Sequence, residues 1–255
     1  FGLIEAIEEK LSKDKIKLLE DGDTEALVKI INQKVRFEKM AVKDAKLRTF
    51  ITSDEDRDGL VGHVYDVTYG VSTKSDTLVI LDDSIVRGTT LKKSILGILD
   101  RLKLKKIIIV SSAPQIRYPD CYGIDMAKLG DFIAFRAAIS LLNKTEKGRR
   151  VIQEVYKKCK QSTKEPKEKQ ENHLTEIYDR FTEEEISQEI ASLLKTDYIS
   201  TNFSVVFQSV ESLHLACPEH KGDWYFTGNY PTPGGNMVAN KAFIYYVEGA
   251  DKRAY

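Results

Sequence analysis

Two short runs, residues 77–81 (TLVIL) and 106–110 (KIIIV), are apolar or nearly so on consecutive positions, and they constrain this chain more than anything else in it. A strand written that way has no polar face to turn to water. It therefore predicts burial on both faces, as in a parallel sheet covered by helices. Between the runs Leu91, Ile95, Ile98, Leu99 and Leu102 recur at the helical period, which predicts the crossover helix of a right-handed βαβ unit. The predicted class is α/β.

Upstream, Leu3, Ile4, Ile7 and Leu11 share one helical face while Glu5, Glu8, Glu9 and Lys10 turn away, so a surface helix is expected over 3–19. Asp23 stands where it can cap a second helix carrying Leu27, Ile30 and Ile31. Residues 47–51 (LRTFI) read as a strand and 52–76 as a polar loop, with a helix or hairpin through Val61, Val64, Tyr65, Val67, Tyr69 and Val71 as the alternative for part of it. Beyond residue 110 the pattern predicts a proline-marked loop (112–123), helices near 129–142 and 145–160, more helix over 173–194, a strand at 204–207 and an aromatic, turn-rich tail. Residues 157–170 hold six lysines against two glutamates and one proline, and read as a solvated linker, with an anion-binding arm as the alternative.

Lys plus Arg and Asp plus Glu both number 39 in 255 residues, so there is no overall basic field to gather nucleic acid or an anionic membrane. An anion has to be bound by a local site. No apolar run approaches the roughly 18 residues that a spanning helix needs, no signal sequence opens the chain, and Cys121, Cys159 and Cys217 have no framework spacing. A cytoplasmic protein with reduced thiols is expected. The helical pattern is already under way at the third residue after Phe1, which is the expectation for a piece of something longer.

The chemistry is concentrated in residues 81–90 (LDDSIVRGTT), where a predicted strand ends and a helix begins. Open α/β sheets bind ligands at that place, and the free N–H groups and dipole of the helix favour a phosphate there. Ser84, Ile85, Val86, Arg87, Gly88, Thr89 and Thr90 make the expected anion loop, with Gly88 allowing close backbone approach and the three hydroxyls adding donors. The segment has neither the GK[ST] ending of a nucleotide loop nor the GxGxxG of a dinucleotide turn. Asp82 and Asp83 would repel a phosphate unless they accept from sugar hydroxyls or hold a divalent cation. A sugar phosphate with magnesium is implied, the plainer alternative being a turn capped twice by carboxylates.

The nonapeptide DDSIVRGTT resembles the phosphoribosyl pyrophosphate (PRPP) motif of the type I phosphoribosyltransferases, in the form found in the glutamine PRPP amidotransferase, or amidophosphoribosyltransferase, branch. Residues 48–51 (RTFI), 112–126 (SAPQIRYPDCYGIDM) and 226–232 (FTGNYPT) resemble other segments of that branch, in the same order and at nearly the same spacing. The resemblance implies a phosphoribosyltransferase-like parallel sheet with flanking helices, truncated at its amino-terminal strand. The implied organisation is a helical segment (1–35), the α/β core (36–142), a lysine-rich helical insertion and linker (143–175) and a C-terminal subdomain packing on the core (176–255). It further implies an enzyme that transfers ammonia from glutamine to C1 of PRPP, giving 5-phosphoribosylamine, pyrophosphate and glutamate at the entry to purine synthesis. On this resemblance Asp82 and Asp83 meet the ribose hydroxyls and Mg²⁺, and residues 84–90 hold the 5′-phosphate; no catalytic residue is assigned. The implied partners are PRPP, purine nucleotides as feedback ligands, a missing N-terminal glutaminase domain and further copies in a homo-oligomer, with no nucleic acid and no membrane.

The chain departs from that family in three ways. Without the glutaminase domain and its cysteine nucleophile, this chain alone is not expected to act on glutamine. In residues 52–76, Arg57 and Lys74 face Asp54, Glu55, Asp56, Asp58, Asp66 and Asp76, with His63 and Tyr65 where the family carries Arg and Lys. Such a loop complements pyrophosphate badly, so a non-catalytic module that senses PRPP or a purine nucleotide is the alternative. Some relatives hold a four-cysteine iron–sulfur cluster; here only Cys121 lies near a ligand position, and Gly222, Asp223, Trp224 and Tyr225 include no cysteine, so no cluster is expected. Cys217 and His220 lack a second ligand pair and read as a buried thiol and a surface imidazole. His173 and His214 stand near no nucleophile elbow, and Tyr65, Tyr69, Trp224 and Tyr225 read as packing aromatics.

Overall fold

The computed structural model describes residues 2–38, 41–43, 65–67, 70–122, 126–220 and 222–254, which divide into two compact units. The first, up to Val71, contains α1 (Gly2–Glu20), α2 (Thr24–Ile30) and the antiparallel pair β1 (Ala41–Lys43) and β2 (Tyr65–Val67), with Ala41 opposite Val67. Asp23 caps α2 as expected, its carboxylate accepting the Ala26 N–H at 3.0 Å. Neither helix has a buried residue. The strand expected at 47–51 and residues 52–64 of the expected loop lie outside the described residues.

The second unit is built on three parallel strands, β3 (Thr77–Asp82), β4 (Lys106–Ser111) and β5 (Asn202–Phe207), in the order β3-β4-β5. Thr77 pairs with Lys106 and Lys106 with Asn202, so all three strands run in register to a common carboxyl edge. The class is α/β, as the two apolar runs predict. The β3–β4 crossover starts at Thr89 and passes through a π-helical turn (Leu91–Ile95) into α3 (Leu96–Asp100), burying Leu91, Leu96 and Leu99. Between β4 and β5 come a 3₁₀ turn (Leu129–Asp131), α4 (Ile133–Asn143), α5 (Gly148–Ser162), α6 (Thr175–Tyr178) and α7 (Glu183–Leu194). After β5 follow α8 (Val210–Ala216), α9 (Trp224–Thr227) and α10 (Pro233–Glu248).

Three features differ from the expectation. Alternation along the strands leaves Ile107, Ile109 and Val205 in the core, whereas Val79, Leu81 and Val206, on the opposite face, are 44, 54 and 47% exposed. The sheet is thus buried on one face and partly open on the other; an unbroken apolar run does not by itself tell the two cases apart. The lysine-rich run is helix through Ser162, not linker. Val155, Cys159 and Ser162 face inward, the Cys159 thiol donates to Asn240 Oδ1 on α10 at 3.4 Å, and Gln170 is buried. The tail contains a 16-residue helix, α10, that buries Val238, Ala239, Ala242 and Phe243. Its Pro-Gly-Gly opening imitates a turn, and its apolar residues spread around the axis instead of forming one stripe.

The start of β5 hangs on one carboxylate. Asp100, buried at the end of α3, accepts the N–H groups of Ser200 at 3.0 Å and Thr201 at 2.7 Å, with Lys103 Nζ at 3.2 Å. Burial pushes its carboxyl upward, but the bonds from Thr201, Lys103 and Ser200 outweigh that and hold it well below the usual carboxylate range. A depressed folded value gives stability that is present above the unfolded value and lost as pH falls. Asp100→Asn is expected to cost about 2 kcal/mol at neutral pH, with the gap between variant and native closing below about pH 4; urea unfolding at neutral and at acid pH measures both.

Candidate functional site

The register of the sheet brings the ends of β3, β4 and β5 side by side at Asp82, Ser111 and Phe207. The Asp82 carbonyl accepts both the N–H of Ser112 at 2.9 Å and its hydroxyl at 3.0 Å, and the Asp83 carbonyl accepts the Ala113 N–H at 3.1 Å. On the far side the Gln208 N–H reaches the Ser111 carbonyl at 3.1 Å. Three loops are thereby stitched into one edge.

Asp82 is half-buried and Asp83 exposed. Each uses one oxygen locally: Asp82 Oδ1 accepts the Asp83 N–H at 3.1 Å, and Asp83 Oδ1 the Ser84 N–H at 2.7 Å. The capped-turn geometry is therefore present, and it still leaves a second oxygen on each carboxylate. Burial, followed by the charge of Asp83, pushes the Asp82 carboxyl above its ordinary value. A hydroxyl donor or a cation would relieve that strain.

Ile85 is buried and anchors the loop, while Arg87, Thr89 and Thr90 are exposed. Two carbonyls are drawn to the start of α4: the Ile133 N–H donates to Val86 at 2.8 Å and Arg136 Nη2 to Arg87 at 2.7 Å. The Arg87 guanidinium itself lies 3.4 Å from Asp131 Oδ2, both side chains about half exposed, an ion pair of little energetic weight. Gly88 has φ +69°, and a Cβ there would meet Ile133 Cδ1 at 2.6 Å and Leu194 Cδ2 at 2.9 Å. Its missing side chain is required by the core beneath as well as by the turn. Among the described residues, no backbone N–H from residue 85 to residue 90 has an acceptor. Arg136, Asp131 and Ile133 were not readable as part of this site: they lie over 40 residues along the chain, and nothing in their local pattern marks them.

The third and fourth resembling segments touch each other. The N–H groups of Arg117 and Tyr118 both donate to the Tyr225 carbonyl, at 2.8 and 3.1 Å, the Tyr230 hydroxyl donates to Pro119 O at 2.6 Å, and the Tyr178 hydroxyl to Arg117 O at 2.7 Å. The Arg117 side chain turns inward onto Gln115 Oε1, at 2.8 and 3.1 Å, and over the Tyr178 ring. Residues 48–51, 123–125, His63 and Tyr69 lie outside the described residues, as does the Tyr65 side chain.

The remaining candidates are local contacts. Cys217 is exposed, which corrects its reading as a buried thiol: it caps the end of α8, a helix with no buried residue for it to pack beside. His214 pairs with Asp223 at 3.2 Å and His173 lies 3.4 Å from Glu176. Trp224 packs against Tyr122 and Tyr225, with ring centroids 6.1 and 5.4 Å away. Burial pushes the half-buried Cys121 thiol up, which makes it a poorer thiolate. No group of three or more His, Cys, Asp or Glu placed to hold a metal occurs among the described residues, and no helix among them is long and apolar enough to cross a membrane.

No protein-family model matches this chain. Curated relatives named amidophosphoribosyltransferase do, over a short stretch. The chain is 45% identical over 62 residues to the proteins of that name from Pasteurella multocida and Haemophilus influenzae, a stretch covering 24% of this chain and 12% of theirs. It is 42% identical over 62 residues to the Saccharomyces cerevisiae protein, with the same coverage of each chain. The resemblance read from the motifs is thus borne out over about a quarter of the chain, while the matched stretch spans about an eighth of the relatives' length.

Two substitutions test this geometry. The raised value of Asp82 means that the folded state favours its neutral form, so its contribution to stability is fully present below the unfolded value and lost as pH rises through the folded one. Asp82→Asn, whose amide oxygen retains the bond to the Asp83 N–H, is therefore expected to raise the melting temperature at neutral pH, the gain shrinking as pH falls through the folded value and absent below about pH 4. Gly88→Ala is expected to cost about 2 kcal/mol in urea unfolding, from a positive φ and the overlap with Ile133 and Leu194.

Proposed function

We propose that residues 82–90 bind the ribose 5-phosphate half of PRPP, and that the protein this chain contributes to is an amidophosphoribosyltransferase, forming 5-phosphoribosylamine from PRPP and glutamine-derived ammonia. The observation that carries this reading is the row of N–H groups from residue 85 to residue 90 that meet no acceptor among the described residues, directly behind two carboxylates at the carboxyl edge of a parallel sheet. A phosphate dianion accepts from such a row, and the exposed hydroxyls of Thr89 and Thr90 add donors. Ionised carboxylates only accept, so Asp82 and Asp83 select a ligand that brings hydroxyl donors or a cation beside its phosphate. A ribose phosphate brings the first.

The pair also fits Mg²⁺. Two carboxylates are too few for an all-protein cage, and Mg²⁺ is ordinarily held by one or two of them, with water and substrate phosphate oxygens completing the shell. When bound, the metal supplies charge neutralisation for the departing pyrophosphate. The chain's own part is to fix the ribose 5-phosphate through residues 84–90 and to set the carboxylates beside a ring that gains positive charge as pyrophosphate leaves. A cytoplasmic homo-oligomer with a glutaminase domain and purine nucleotides as feedback ligands completes the reading.

A non-catalytic PRPP or purine-nucleotide sensor is the second reading, favoured by the excess of acids over bases in residues 52–76. Calorimetric titration of PRPP with Mg²⁺ into the full-length protein, paired with an assay of phosphoribosylamine formation, separates them. Asp83→Asn is expected to weaken PRPP binding about tenfold and to abolish product formation. Binding without turnover in the native protein means a sensor, and an Asp83→Asn variant that binds and turns over like the native protein removes Asp83 from the site.

A further inference from the structure

We propose that Arg136 is a positioning residue for the phosphate loop, an inference that rests on reading residues 82–90 as a ribose 5-phosphate site. A trans peptide sets its C=O and N–H in opposite directions. The Val86 carbonyl is held by the Ile133 N–H and the Arg87 carbonyl by Arg136 Nη2, both on α4. The N–H groups of Arg87 and Gly88 therefore both point away from α4, and neither meets an acceptor among the described residues. Two successive N–H groups aimed to one side make an anion nest.

Of the two holds, the one from Arg136 guards the weaker joint. The peptide it fixes precedes Gly88, and glycine accepts either sign of φ, so this is the one peptide of the loop that can turn over at low cost. Turned over, it would present the Arg87 carbonyl oxygen to the phosphate in place of the Gly88 N–H. A guanidinium bonded to that oxygen at 2.7 Å opposes the turn. Arg136 is exposed, so water can replace its bond without leaving a buried group unsatisfied, and the bond adds little to overall stability. Its consequence lies in orientation.

The test is calorimetric titration of ribose 5-phosphate into the full-length native protein, Arg136→Leu and Arg136→Lys, with urea unfolding of each. Arg136→Leu is expected to bind about tenfold more weakly at an almost unchanged urea midpoint, and Arg136→Lys, which keeps a cationic donor, to recover part of the loss. A native protein that binds while Arg136→Leu binds equally well overturns this inference and leaves the site reading standing. A urea midpoint that falls together with affinity, with no recovery by Lys, makes Arg136 a structural bolt and also overturns it. A native protein that binds no ribose 5-phosphate removes the site reading, and this inference with it.

Discussion

The carbonyl oxygen of Asp82 is the point on which the carboxyl edge of the sheet depends. At the last rung of the β3–β4 ladder Ser112 takes this carbonyl twice, through its amide and its hydroxyl. That double bond ties the chain leaving β3 to the chain leaving β4, and the Ala113 N–H on Asp83 extends the tie by one residue. Fixed at this end, the loop has few routes to the crossover helix. The route it takes needs a left-handed residue over Ile133 and Leu194, and only glycine fits that place without displacing core side chains.

Fixing the loop in this way sets an electrostatic contradiction beside it. Unpaired N–H groups and a helix start favour an anion, while two adjacent carboxylates disfavour one, and burial already strains the ionised form of Asp82. Left to itself the arrangement gains little: the carboxylates spend one oxygen each on neighbouring amides, and the N–H row meets nothing in the described residues. Groups that cost free energy in the unliganded protein and complement a single kind of ligand are the usual mark of a binding site, since both costs are recovered together on binding. The ligand that resolves both at once has to be anionic at one end and rich in hydroxyls or metal-bound at the other.

Much of this was legible from residue order alone. The apolar runs at 77–81 and 106–110, with a helical period between, give the βαβ unit because local pattern and tertiary role agree there. The capping of α2 by Asp23 is equally local. What residue order hid was decided at a distance: which face of an all-apolar strand meets water depends on what packs against it, as Val79 and Leu81 show, and whether a lysine-rich stretch is linker or helix depends on the few inward positions in and beside it, here Cys159 and, two residues before the stretch, Val155. The anchoring of the loop by Arg136 was hidden for the same reason, since it lies on a helix reached only after the sheet has formed.

The contacts of residues 112–126 and 226–232 bear on how the resemblance is to be weighed. In sequence the two segments look as chemical as DDSIVRGTT, with an arginine, tyrosines and a cysteine. In space their polar groups are largely turned on each other. The Tyr225 carbonyl, just ahead of the later segment, serves two amides of the earlier one, Tyr230 is bonded to Pro119, and the Arg117 guanidinium, only slightly exposed, is taken up by Gln115 and the face of Tyr178. A guanidinium so engaged is costly to redirect toward a ligand, because Gln115 Oε1 would lose its donors in a buried place. These segments therefore act on the site through the frame they build: they close the region beyond β4 and hold the loop that begins at Ser112, whose hydroxyl grips Asp82. Of the resembling segments among the described residues, the one whose polar groups remain open to a ligand is the one at residues 82–90.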